Sequence, residues 1–176
     1  MGLPAGVATA LAQHGFAGPT NKFWRLLHSS GITTVKHTYV ADKSLPALYK
    51  VGITNLISRP TRCASELSKD EMLSNVDTVE EKVRKYKPQA ICIVGKGIWD
   101  AIYERKHLGR KVGKEFTYGW QVLRLGKEEG WNGARCFVTP STSGRVAAYS
   151  YAFQEELWKE LGDWVKQERG DIKPES

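Results

Sequence analysis

The run Pro88-Gln89-Ala90-Ile91-Cys92-Ile93-Val94-Gly95 constrains this chain more than any other stretch. It is unbroken apolar sequence from Ala90 to Val94, entered by proline and closed by glycine. A strand with water on one face alternates apolar and polar residues. An unbroken run reads instead as a strand covered on both faces, as in a parallel sheet. Such a sheet needs helical crossovers, and the flanking sequence supplies them. A polar helix is predicted over 77–86, after the capping-box pattern Ser68-Lys69-Asp70-Glu71. Another helix follows over 96–103, and two further strands are read over 120–125 and 134–138. A long closing helix carries Phe153, Leu157, Leu161, Trp164 and Val165 at helical spacing. Nearer the start, Thr20-Asn21 can cap a helix bearing Phe23, Trp24, Leu26 and Leu27, which Gly31 stops. Residues 44–49 form a short helix entered through Pro46, and residues 51–57 a short strand or an irregular apolar run. Strands alternating with helices give an α/β class with a mostly parallel central sheet. Ligands in such sheets sit beyond the carboxyl ends of strands, which singles out the loops after Ile57 and Val138.

At 176 residues the chain has the length of one domain. We read a single domain over 1–166 and a polar, frayed tail over 167–176. Six Trp, seven Tyr and five Phe supply enough burial to exclude disorder along the whole chain. Three widely spaced cysteines, Cys63, Cys92 and Cys136, give no disulfide framework and fit a reducing compartment. No apolar run is long enough to span a bilayer, and the first residues carry no basic, signal-like segment. The formal charge of +7 suits a polyanionic partner, although many basic proteins bind none.

The chemical motifs are sparse. His14, His28, His37 and His107 have no ligand-spaced partners and no cysteines form a CxxC pair, so no metal site is expected. Gly95-Lys96-Gly97 lacks the third glycine of a dinucleotide fingerprint, and no phosphate-cradling GxxxxGK[ST] exists. Ser141 and Ser143 follow a strand without the flanking glycines of a nucleophile elbow. Arg105, Lys106, Arg110, Lys111 and Lys114, opposed only by Glu104 in sequence, read either as a solvated loop or as phosphate contacts. Lys96, at a helix start after a strand, is a candidate phosphate contact. Phe16 reads as a core aromatic or as a stacking ring held in the stiff segment Phe16-Ala17-Gly18-Pro19. Asn55 reads as a loop-capping amide or as a reader of a base edge through its paired donor and acceptor. Arg145 reads as a surface residue at a helix start or as a side chain pushed into DNA.

Three stretches, in order and at matching spacing, resemble the mismatch-specific uracil/thymine DNA glycosylases of the uracil-DNA glycosylase superfamily. They are His14-Gly15-Phe16-Ala17-Gly18-Pro19-Thr20-Asn21-Lys22-Phe23-Trp24, Gly52-Ile53-Thr54-Asn55-Leu56-Ile57-Ser58-Arg59-Pro60-Thr61, and Val138-Thr139-Pro140-Ser141-Thr142-Ser143-Gly144-Arg145. The resemblance implies a three-layer α/β/α sandwich around a mostly parallel sheet. It implies a repair glycosylase, working in the nucleus of a eukaryote or the nucleoid of a bacterium. Such an enzyme flips uracil or thymine out of a G·U or G·T mismatch in double-stranded DNA and hydrolyses the N-glycosidic bond as a monomer without cofactor, metal or membrane. By match to the family pattern, Phe16 stacks on the extruded pyrimidine and Asn55 bonds its edge, with His14, a candidate catalytic residue, and Thr61, a candidate base-binding residue, beside the pocket. Ser141, Thr142, Ser143, Gly144 and Arg145 enter the vacated space, Arg145 as the wedge.

One position departs from the pattern. Counting back from Phe16, the family's Gly-Ile-Asn-Pro-Gly motif falls on Gly2-Leu3-Pro4-Ala5-Gly6, and its water-positioning Asn falls on Pro4. Proline has no side-chain amide and no backbone N–H. The family's first strand precedes this motif, where only Met1 stands, so that strand is expected to be missing. Three explanations remain open. Upstream coding sequence is absent from the chain, the chain is a mismatch-binding relative without catalysis, or another group holds the water.

Overall fold

The computed structural model describes residues 14–57, 68–146 and 148–170. Pro4, the expected site of the first strand, Thr61, Cys63 and the last six residues lie outside them. The elements run α1 (Phe23–Ser29), a 3₁₀ turn (Tyr39–Ala41), α2 (Leu45–Tyr49), α3 (Lys69–Tyr86), β1 (Ala90–Val94), α4 (Lys96–Lys106), β2 (Gly119–Leu125), β3 (Ala134–Thr139) and α5 (Tyr151–Arg169). The chain forms two compact units. Of the described residues, one contains 54–57 and 68–141; the other contains 14–53, 142–146 and 148–170.

The first unit holds the sheet, in the order β1-β3-β2. β1 pairs with β3 in parallel, from Ala90 opposite Arg135 to Val94 opposite Thr139. Among the described residues the parallel pattern expected is thus present in one of two pairings, because β2 runs antiparallel to β3. The reason is the connection: residues 126–133 are too few for a crossover, which takes a dozen or more, so the chain can only return as a hairpin. Gly133, at φ +81°, tightens that return; a Cβ there would press on the backbone N of Lys127 at 3.0 Å. From β1 the chain enters α4 at once through Gly95, whose φ of +116° suits glycine and whose N–H donates to Thr139 O at 2.8 Å. α3 and α4 pack together, and Val76, Val79 and Val83 join Ile98, Ile102, Ile93 and Leu125 in one apolar core. The capping box forms as read, the Ser68 hydroxyl accepting from Glu71 N–H at 3.1 Å, and α3 runs without a break from there through 86.

The second unit packs α1 against α5. Gly31, at φ +78°, ends α1 as expected, its N–H donating to His28 O. α5 is capped by Ser150, whose hydroxyl accepts from Phe153 N–H, and it extends to Arg169. The first residues of the expected tail are therefore helical. The Arg169 guanidinium donates to Ile32 O at 2.7 Å and to Tyr49 O, tying down the loop after α1 and the end of α2.

Candidate functional site

His14, Phe16 and the loop Thr142 to Arg145 all belong to the second unit. Phe16 stands in the left-handed region at φ +57°, a conformation that costs a residue with a side chain about 1–2 kcal/mol. Its ring lies parallel on Phe23, with centroids 3.9 Å apart and planes 11° from parallel. Phe23 is buried and braced edge-on by Trp24 and by Trp158 of α5. One face of the ring is thus packed on the core, and the residue itself is half-buried.

The preceding turn is fixed from both sides. Asp42, just past the 3₁₀ turn, accepts from His14 Nδ1 through one oxygen and from Gly15 N–H through the other, both at 2.8 Å. Burial pushes the Asp42 carboxyl up, but the His14 and Gly15 hydrogen bonds outweigh it and hold the group below the usual aspartate value. The carboxylate is thus ionised at neutral pH. An ionised carboxylate only accepts, so Nδ1 of His14 carries the proton. On the other side, the Trp24 indole N–H donates to Gly15 O at 3.2 Å.

The loop after β3 is anchored to the same segment. Lys22 N–H donates to Thr142 O at 2.9 Å, and Thr142 is buried. Gly144 lies against Thr20 so closely that a Cβ would overlap the threonine hydroxyl and stand 2.7 Å from its carbonyl oxygen. A turn follows, with Val146 N–H on Ser143 O, and Arg145 is exposed at its tip. α5 does not begin until Tyr151, so Arg145 is a loop residue and not a helix start. The N-cap position of α1 falls on Lys22, and the expected capping residue Asn21 supports the helix start from one position earlier, its side-chain oxygen accepting from Phe23 N–H at 3.0 Å.

Asn55 and Lys96 belong to the first unit. Asn55 is half-buried and directly precedes Leu56 and Ile57, both in the core, which fixes its backbone to the unit's interior. Lys96 pairs with Asp100 one turn on, at 2.6 Å, and its ammonium lies over the Phe116 ring. The basic cluster splits. Arg105 forks onto Asp77, which lowers the Asp77 carboxyl, and Lys106 bonds Glu80 at 2.8 and 3.0 Å. Both acids lie on α3, far from the cluster in sequence, whereas Glu104, the acid beside it in sequence, pairs with Lys69. Arg110, Lys111 and Lys114 are exposed on the loop beyond α4. Burial pushes the Cys92 thiol up to about 11 and the Cys136 thiol to about 12, so neither is a thiolate nucleophile at neutral pH.

The chain matches the uracil DNA glycosylase superfamily over residues 2–162. The chain belongs to this superfamily. It is 38% identical, over 98% of its length, to the "G/U mismatch-specific uracil DNA glycosylase" of Schizosaccharomyces pombe, and it spans about half (52%) of the length of that relative. The α/β fold with its small mixed sheet is consistent with the three-layer architecture of the superfamily. Membership gives the pinned Phe16 turn and the Thr20-fitted loop a shared context that neither has as an isolated motif. Motif matching finds Phe16 but misses Asp42. That carboxylate lies 28 positions from His14 in a stretch without periodicity, and only the fold brings the two together.

Proposed function

We propose that this chain is a base-excision repair glycosylase domain acting on uracil, and on thymine, opposite guanine in double-stranded DNA. The observation that carries the reading is the 38% identity, along nearly the whole chain, to a relative named for G/U mismatches. The geometry of the second unit supports it. A glycosidic bond inside a stacked duplex is out of reach, so the nucleotide is extruded, most easily where pairing is already poor. Phe16, supported on one face by Phe23, offers its other face to a flat base. Asn55 pairs with the base edge, and donors aimed at the base oxygen stabilise the charge that develops as the bond breaks. Water attacks the sugar carbon directly, with no covalent enzyme intermediate. The exposed Arg145, on a loop held rigid through Thr142 and Gly144, fills the space the base leaves. In a eukaryotic cell this work belongs in the nucleus.

The deciding experiment incubates the 176-residue chain with duplexes carrying one G·U, G·T or A·U pair and measures abasic sites. Excision at G·U above A·U is expected. Absence of excision, together with equal affinity for mismatched and matched duplex, would overturn the reading. Arg145→Ala is expected to weaken mismatch binding about tenfold, by removing the group that fills the gap. Equal affinity at matched salt would reject the wedge role. Replacing Arg110, Lys111 and Lys114 together by Ala should flatten the plot of log affinity against log salt by about 0.9 for each phosphate no longer neutralised. An unchanged slope would return those cations to the solvated-loop reading.

A further inference from the structure

The 3₁₀ turn Tyr39–Ala41 and the residue after it have no part in the function proposed so far, yet they meet the segment that carries Phe16. We propose that Asp42 is the positioning residue for Phe16. It sets the ring for base stacking by holding the His14-Gly15 turn, and in this it rests on the glycosylase reading above.

The argument begins with the backbone of Phe16. A left-handed phenylalanine persists only where its surroundings over-determine it. Gly15 supplies that determination. Its N–H is taken by Asp42, its carbonyl by the Trp24 indole, and a Cβ placed on it would stand 3.2 Å from Ile53 Cγ2. The peptide leading into Phe16 is thus gripped by side chains from two separate elements. Asp42 contributes the grip that fixes direction, because one carboxylate engages two consecutive residues. Its side chain is only 13% exposed, so water competes poorly for either oxygen. Tyr39, from the same short turn, packs against the His14 ring at 5.7 Å and limits its rotation. The ring of Phe16 then lies stacked on Phe23, so that only its other face is left for a base. Carboxylate geometry at one residue therefore becomes ring geometry two residues on, and reacting groups lose about a hundredfold in rate when displaced by 1 Å.

The test combines a signature in the free chain with a mutant cycle on DNA. In the unmutated chain, NMR should show a slowly exchanging Gly15 amide and Phe16 ring protons shifted upfield by the stacked Phe23. Asp42→Ala should erase both while thermal melting shows the unit still folded. Asp42→Asn should keep most of both, since its oxygen still accepts from Gly15 and its amide can donate to the other His14 tautomer. In single-turnover excision from a G·U duplex, Asp42→Ala should slow the reaction about tenfold or more, yet add nothing in a Phe16→Ala background. Asp42→Ser carries the same comparisons if Asp42→Ala does not fold. Signatures that survive the loss of the carboxylate, or effects that add in the double variant, overturn the proposal. If the unmutated chain neither excises uracil nor prefers mismatches, the glycosylase reading falls, and the NMR arm still decides whether Asp42 sets Phe16.

Discussion

Gly162→Ala is expected to destabilise the chain by about 2–4 kcal/mol, whereas the same change inside an ordinary helix stabilises by about 1 kcal/mol. Gly162 lies on the buried face of α5, where the helix meets the end of α1. A Cβ at this position would overlap Ser30 O and stand 2.8 Å from Ser30 C and 2.9 Å from Ser30 Cβ. Two of these three atoms are main chain, so no rotamer change relieves the clash. The helices must separate instead. Separation loosens Trp158 from Phe23, and Phe23 is the support on which Phe16 stacks. Thermal or denaturant unfolding reads the loss directly. Unchanged or raised stability would mean that α1 and α5 do not approach so closely.

Pro4→Asn is expected to raise the single-turnover rate of uracil excision by about a hundredfold, the scale on which one preorganised polar group contributes. The resemblance assigns the water-positioning amide to this position, and the chain holds no Asn or Asp before Asn21 that could replace it. Proline can neither orient water nor donate a hydrogen bond. Pro4→Ala is the control, since it relieves the backbone restriction without adding an amide, and it should leave the rate near that of the unmutated chain. Equal rates for the unmutated chain and Pro4→Asn would show that the water is held elsewhere. Mismatch binding without excision in either would favour the non-catalytic relative.

Local sequence carries the elements well and their partners poorly. The apolar run at 90–94 announces a parallel strand because nothing but burial tolerates it, and β1 does pair in parallel with β3. The antiparallel course of β2 is also legible in principle, in the shortness of residues 126–133. The buried face of α5 is offset by part of a turn from the one its apolar spacing suggests. Phe153 is 39% exposed, while Gln154, Trp158 and Gly162 join Leu157 and Leu161 in the interior. A glutamine and a glycine carry no hydrophobic signal, and Gly162 is buried for its smallness, which only the partner helix explains. The candidate site divides the same way. Phe16, Asn55 and Arg145 are legible as motif residues. Asp42, which holds the Phe16 turn, and Asp77 and Glu80, which engage Arg105 and Lys106 of the basic cluster, are not, because each acts across a fold-made contact.

The pairing of Arg105 with Asp77 and of Lys106 with Glu80 bears on how a duplex would be captured. Seen from beyond a Debye length, the Arg105–Asp77 pair is a dipole whose field dies away faster than that of a net charge, and Glu80, which Lys106 shares with Arg84, offsets one of their two charges. The pull on an approaching polyanion therefore originates less in the helix with the densest basic sequence than in the loop beyond it. Encounter rate and helix packing are then governed by different cations, and selection can tune the speed of association without disturbing the fold.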